Sequence, residues 1–107
     1  MKLPNNTGLP FFAYGIFKPG QIAHFRIKDL VENTKDAEIS GSLKERDGIP
    51  LLIIGQNNDN IQGSLITFKS GFGNDAYLRI NQIEPSEVYN WKEVILCDNS
   101  KANALIG

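Results

Sequence analysis

The chain is poor in the side chains on which most metal and nucleophile chemistry depends. Its 107 residues include one cysteine, Cys97, and one histidine, His24. A lone cysteine excludes an internal disulfide and weakly favours a reducing compartment. One histidine and one cysteine cannot complete a structural zinc site, which usually takes about four nitrogen or sulfur ligands. A Ser-His-Asp or Cys-His site would have to be built around His24. We expect instead a surface histidine, and a buried structural thiol at Cys97.

Charge of one sign and long apolar runs are also missing. Lysine and arginine together number 11 and aspartate and glutamate 12, which leaves a net charge of -1. Nucleic-acid binding usually needs a basic patch, so no nucleic-acid partner is expected. No apolar run approaches the roughly 20 residues of a membrane span, and no apolar stretch after Met1 resembles a signal peptide. The absences predict a soluble cytoplasmic protein with no membrane partner.

What is present is a series of short apolar segments separated by turns. The pattern predicts a hairpin turn at Asp47-Gly48, a bulge or close contact at Gly63, and a polar loop over 57–60. Strict alternation over 36–45 places Ala37, Ile39, Gly41 and Leu43 on one face of a half-buried strand. Strands are predicted over 9–14, 36–45, 49–54, 61–68, 89–96 and 102–106, with helices over 21–31 and from a cap at Asn74 or Asp75 to Ile83.

Five or six short strands with one or two short helices predict the α+β class. The expected architecture is a small mixed β-barrel or curled sheet. The length suits a single domain over residues 1–107. Pro85 should end the second helix and push Glu84 out of helical geometry.

The most specific segment of the chain is FFAYGIFKPG at residues 11–20. It resembles the opening of the gamma-glutamylcyclotransferase-like family, in which a strand ends in aromatic-x-Tyr-Gly-[Ser/Thr]-Leu-[Lys/Arg]-Pro-Gly. Further segments similar to the family's motifs follow in its order, namely ISGSL at 39–43, GIP at 48–50, IQGSL at 61–65, INQIEP at 80–85 and then Tyr89. Each motif is short, but their joint order is hard to obtain by chance.

The resemblance implies a small mixed barrel flanked by short helices, with a cavity at its mouth. It also implies an activity, the cyclisation of a gamma-glutamyl group to 5-oxoproline with release of the attached amine. Glu84 would be the catalytic acid/base. The small-molecule gamma-glutamyl substrate would be bound by Tyr14, Gly15, Ile16, Phe17 and Tyr89. No metal or organic cofactor is implied.

The chemistry of these residues is compatible with such a reaction. A glycine at the end of a strand lets the main chain approach a ligand, and consecutive free N–H groups at Ile16 and Phe17 can hold a carboxylate. A free glutamate has a pKa of about 4.3, which partial burial of Glu84 beside Ile83 and Tyr89 would raise. One carboxylate can then both take and return a proton.

The chain also departs from the family pattern. Ile16 replaces a small Ser or Thr, which should narrow the pocket, and Phe17 replaces Leu. Asn81 replaces Asp, which removes a charge near the expected site, and Pro85 replaces Gly. Trp91 stands where the family often has arginine, so it is given no role. The chain ends where the family usually continues its last strand and tail, so we expect a domain that lacks this tail.

Three hypotheses therefore remain open. The first is an active cyclotransferase, which the presence of Glu84 favours. The second is a non-catalytic small-molecule binding module on the same fold, which Ile16, Asn81 and the short C-terminus favour. The third is an unrelated small β-rich interaction domain.

Overall fold

The computed structural model describes residues 1–55 and 59–107. The strands in these ranges are β1 (Phe11–Ala13), β2 (Val31–Arg46), β3 (Ile49–Ile53), β4 (Asp59–Phe68), β5 (Asn90–Ile95) and β6 (Lys101–Ile106). One α-helix, α1, spans Gly73–Ile83, and two 3-10 turns span His24–Arg26 and Lys28–Leu30. Within the described ranges, no helix has the length and apolar character needed to cross a membrane.

The strands form one closed, mixed barrel. Their hydrogen-bonded order is β1-β4-β2-β3-β6-β5, and an additional pairing of β1 with β6 closes the ring. Five strands make the barrel, and β5 extends the sheet beyond it. The β1–β6 and β3–β6 pairings are parallel and the others antiparallel. The expected α+β class with a small mixed barrel is confirmed.

The short strand β1 lies between the two halves of the core. Phe11 and Ala13 belong to a cluster that includes Tyr77 and Ile80 of α1, whereas Phe12 belongs to a second cluster, with Leu52 of β3. Side chains of a strand alternate between its faces, so β1 is covered on both sides. The loop that follows β1 therefore starts from a fixed position.

Two predicted connections hold in the structure. Asp47 and Gly48 both have positive φ, 54° and 81°, and Arg46 pairs with Ile49 across them, as expected of a tight two-residue hairpin. Helix α1 ends before Glu84, which has extended backbone angles of φ -81° and ψ 138°. The proline that follows disfavours helical geometry at this residue, so Glu84 leaves the helix axis.

The helix predicted over 21–31 is wrong. The backbone bonds in this stretch span three residues, as in the bond from the His24 amide to the Gln21 carbonyl, so the chain forms tight 3-10 turns. Ile22 is 77% exposed and Phe25 66% exposed, so the apolar side chains of this stretch do not share one buried face. Leu30 is buried as expected.

Smaller predictions also fail. The alternation of β2 changes phase after Gly41, because Ser42 is buried as well and Leu43 is exposed. Phe72 stands at the N-cap of α1 without a side-chain bond, so the predicted Asn or Asp cap is absent at this described helix end. Cys97 is exposed. Of the predicted polar loop, 59–60 belong to β4 and 57–58 lie outside the described residues.

Gly63 provides a test of how tightly β4 packs against β1. A Cβ atom at Gly63 would lie 2.6 Å from the Ala13 carbonyl oxygen and 2.7 Å from the Phe12 ring. The predicted close contact is therefore present, and Gly63→Ala should lower the free energy of unfolding by about 1–3 kcal/mol, as overpacking does. Urea denaturation measures the change. Ser64→Ala, the neighbouring position, adds no atoms and should have a smaller effect; an unchanged midpoint for Gly63→Ala would contradict the prediction.

Candidate functional site

A cavity of about 250 Å³ opens between β1, the β2–β3 hairpin and the end of α1. Residues 11–17, 48–50 and 83–85 line it, together with Tyr89 and Leu105. All the residues that the sequence analysis proposed for the site are among them, namely Tyr14, Gly15, Ile16, Phe17, Glu84 and Tyr89. Ile16 lies at the wall and is 39% exposed, and the cavity remains open beside it.

The main-chain carbonyl groups of residues 15–17 are all occupied by the segment that follows them. The Lys18 amide donates to the Gly15 carbonyl at 3.2 Å, and the Ala23 amide donates to the Ile16 carbonyl at 3.0 Å. Nδ1 of His24 donates to the Phe17 carbonyl at 2.7 Å. These bonds fix the orientation of three successive peptide groups. The loop is therefore held from the side of residues 18–24.

Two amide groups of the same loop, those of Ile16 and Phe17, belong to residues that line the cavity. In a trans peptide, the N–H of one residue points opposite to the carbonyl of the residue before it. The N–H groups of Ile16 and Phe17 consequently point away from residues 18–24, none of which lines the cavity. Within residues 1–55 and 59–107, these two amides donate to no protein acceptor. Adjacent free amides form a concave site for an anion.

His24 was expected at the surface, and that expectation is wrong. Its side chain is 9% exposed and its Nδ1 contacts the Phe17 carbonyl. Because a carbonyl can only accept, Nδ1 carries the proton. The sequence offered no indication of this role, since the partner is a main-chain atom whose position depends on the 3-10 turn.

Tyr14 forms the floor of the cavity and connects three elements. Its hydroxyl donates to the Leu105 carbonyl on β6 and accepts from the Leu52 amide on β3 at 3.1 Å. Burial raises the pKa of Tyr14 well above its ordinary value. The phenol therefore stays protonated and acts as a structural link.

Glu84 is the one carboxyl group in the lining of the described cavity. Burial raises its pKa to about 7, because the apolar surroundings disfavour the charged form. The pKa of Tyr89 is raised to about 12, mainly by burial and in addition by the Glu84 carboxylate. The Tyr89 hydroxyl donates to the Pro50 carbonyl. Near neutral pH, Glu84 is thus a group that can both accept and release a proton.

Asn81 does not belong to this cavity, contrary to the expectation from its place in the motif. Its side chain donates to the Met1 and Lys2 carbonyls at 3.1 and 3.2 Å and accepts from Trp91 Nε1 at 2.7 Å. It ties the N-terminal segment to α1 and β5. An asparagine at this position therefore removes no charge from the cavity.

The comparisons with known proteins concern the fold. No protein-family model matches the chain, and no curated protein matches it either. A solved structure of an uncharacterised protein, PH0828 from Pyrococcus horikoshii, aligns with 92% of this chain and 76% of its own at a TM-score of 0.64 and 19% identity. At this level of identity the likeness concerns the fold, which the two chains share.

Two larger enzymes contain a region with the same fold. Allophanate hydrolase from Kluyveromyces lactis aligns with 92% of this chain at a TM-score of 0.62 and 13% identity. Urea amidolyase from K. lactis aligns over the same share at a TM-score of 0.63 and 13% identity. The chain covers 17% of the first and 6% of the second, so each likeness concerns a small part of those proteins.

The bond from His24 to the loop can be tested by its removal. His24→Ala leaves the Phe17 carbonyl without its donor, and an unpaired buried group costs about 1–3 kcal/mol of unfolding free energy. Urea denaturation should show that loss, and amide hydrogen exchange should become faster at Lys18 and Ala23, which donate to the loop carbonyls. Phe25→Ala, in the same turn but 66% exposed, should stay within about 0.5 kcal/mol of wild type. Equal effects of the two substitutions would refute the role of His24.

The burial of Glu84 predicts a pH dependence of stability. Between the ordinary pKa of a glutamate and the folded value of about 7, the native state keeps a proton that the unfolded state has lost. The free energy of unfolding should therefore fall as pH rises through this interval and then level off. Glu84→Gln should remove this fall, so the stability of the variant relative to wild type should increase with pH. Glu87→Gln, at an exposed position, is the control; parallel curves for Glu84→Gln and wild type would contradict the prediction.

Proposed function

We propose that this chain is a gamma-glutamyl cyclotransferase, which converts a gamma-glutamyl amine or peptide to 5-oxoproline and the free amine. One observation carries the proposal: Ile16 and Phe17, whose amides donate to no acceptor within the described residues, line the same cavity as the protonatable residue Glu84. The order of the sequence motifs and the shared fold support it independently.

The glutamyl end of the substrate binds at the loop after β1. Its α-carboxylate accepts hydrogen bonds from the Ile16 and Phe17 amides, and charge-assisted bonds of this kind are stronger than neutral ones. Gly15 has no side chain, so the main chain can approach the ligand closely. The gamma-carbonyl group and the α-amine then lie in the space between the loop and Glu84.

The reaction is an internal acyl transfer. The Glu84 carboxylate takes a proton from the α-ammonium group, and the free amine attacks the gamma-carbonyl carbon, so that the lactam C–N bond forms. The original amide C–N bond then breaks. Both protons lost by the α-nitrogen end on the leaving nitrogen, which departs as an ammonium ion, and Glu84 relays them. Because the nucleophile and the carbonyl belong to one molecule, holding the chain folded supplies much of the rate.

The titration of the cavity groups favours Glu84 for this relay. Burial keeps Tyr14 protonated and raises the pKa of Tyr89 to about 12, so neither phenol exchanges protons readily near neutrality. A group with a pKa of about 7 is matched to that pH. Proton relay through a positioned carboxyl group typically contributes about 10²–10⁴-fold to the rate.

Release of 5-oxoproline from gamma-glutamyl compounds is the direct test. Glu84→Gln should lower kcat by at least about 100-fold, while Glu87→Gln should leave kcat unchanged. In wild type, kcat/KM should fall as pH drops below about 7, because Glu84 then becomes protonated. Full activity in Glu84→Gln would exclude the proposed relay.

A non-catalytic binding module is the second candidate. The fold also forms a small part of two proteins that carry other enzyme names, so the fold alone does not specify this activity. Calorimetric titration with gamma-glutamyl compounds separates the candidates, because a module would bind them without forming 5-oxoproline. An unrelated interaction domain would neither bind nor convert them.

A further inference from the structure

The distribution of charge along the cavity wall bears on which amine leaves, given the proposed cyclotransferase function. Within the described residues, the lining includes Glu84 and two phenols and contains no lysine, arginine or histidine. The free amides of Ile16 and Phe17 are taken by the glutamyl carboxylate. A leaving group that carries a second carboxylate, as in a gamma-glutamyl amino acid, would meet no counter-charge at the wall and would lie near ionised Glu84. An unpaired charge in an apolar site is unfavourable.

Two of the three arginines, Arg26 and Arg79, are already engaged. They lie in a second hollow, which shares Ile83 with the cavity and also includes Phe25 and Asp29. Arg79 pairs with Asp29 at 2.6 Å and also donates to the Arg26 carbonyl at 3.1 Å. The guanidinium of Arg26 lies 5.4 Å from the centre of the Phe25 ring. These cations are held outside the cavity rather than in its lining.

The remainder of the wall is apolar and the space is small. Ile49, Pro50, Ile83 and Leu105 line it, and Ile16 adds an apolar side chain that is 39% exposed. The volume of about 250 Å³ is below the range of roughly 300–1,000 Å³ for pockets that hold drug-sized ligands. It suits a glutamyl group joined to a short apolar chain.

We propose that the preferred substrates are gamma-glutamyl amides of small, uncharged, apolar primary amines, rather than gamma-glutamyl amino acids or peptides. The absence of a cation from the described lining and the apolar wall both lead to this class. The glutamyl end is recognised by the main chain and the leaving end by apolar contact.

A matched pair of compounds tests the proposal on the whole chain. Gamma-glutamyl-n-butylamide and gamma-glutamyl-norvaline have the same alkyl chain and differ by one carboxylate. We expect kcat/KM for the butylamide to be at least about 10-fold higher, because the second carboxylate has no partner. The monoamide of 1,4-diaminobutane adds a terminal cation to the same chain and should also be the poorer substrate.

Two substitutions test whether the cavity wall causes the preference for the butylamide. Ile16→Lys places a cation at the mouth and should raise the activity on the norvaline compound relative to the butylamide. Ile22→Lys, at a position that is 77% exposed and does not line the cavity, should leave the ratio unchanged. Arg26→Gln should also leave it unchanged; a selective loss of activity on the norvaline compound would mean that Arg26 binds its carboxylate and would overturn the proposal.

The outcomes distinguish this inference from the proposed function. If 5-oxoproline is formed but the norvaline or diaminobutane compound is used as well as or better than the butylamide, the substrate class is wrong and the cyclotransferase remains. If none of the compounds yields 5-oxoproline, the proposed function fails. Calorimetric binding of the same pair to the wild-type protein then decides the preference: tighter binding of the butylamide supports it and equal binding overturns it.

Discussion

The carbonyl groups of residues 15–17 accept hydrogen bonds from Lys18, Ala23 and His24, and the site depends on these three bonds. A peptide plane cannot turn its carbonyl one way without turning the attached N–H the other way. The bonds from the segment that follows the loop therefore orient the amides of Ile16 and Phe17 away from that segment and leave them without an acceptor among the described residues. In the proposed function Glu84 relays protons, but without this constraint the loop would offer no ordered donors to an anion.

The barrel holds the two halves of the site in one place although they are far apart in the sequence. Strand β1 is packed on both faces, which fixes the start of the loop. The Tyr14 hydroxyl then joins the loop to β3 and β6 through the Leu52 amide and the Leu105 carbonyl. On the other side, α1 packs Ala76 and Ile80 into the core and ends before Pro85, so that Glu84 leaves the helix beside the cavity.

Patterns in the sequence were sufficient where local chemistry decides the structure. The Asp47-Gly48 turn and the end of α1 before Pro85 follow from backbone preferences. The helix over 21–31 was wrongly predicted because apolar spacing says nothing about burial, and Phe25 is exposed. The role of His24 was missed because its partner is a main-chain carbonyl, which leaves no trace in residue identity. The same limit explains why Asn81 was placed near the cavity, because its side chain bonds to main-chain carbonyls of the N-terminal segment.

In the proposed function, the lack of a cation in the described lining connects anion binding to proton transfer. A lysine or arginine could hold the substrate carboxylate, but it would also stabilise ionised Glu84 and lower its pKa from about 7. Main-chain amides bind a carboxylate without adding a full positive charge, so the pKa of Glu84 stays near 7. Binding by main-chain amides also explains why Ile16 is compatible with the site, although the related pattern has Ser or Thr at this position. Every residue except proline retains its N–H, so a larger side chain there changes the shape of the mouth and leaves the anion-binding donors in place.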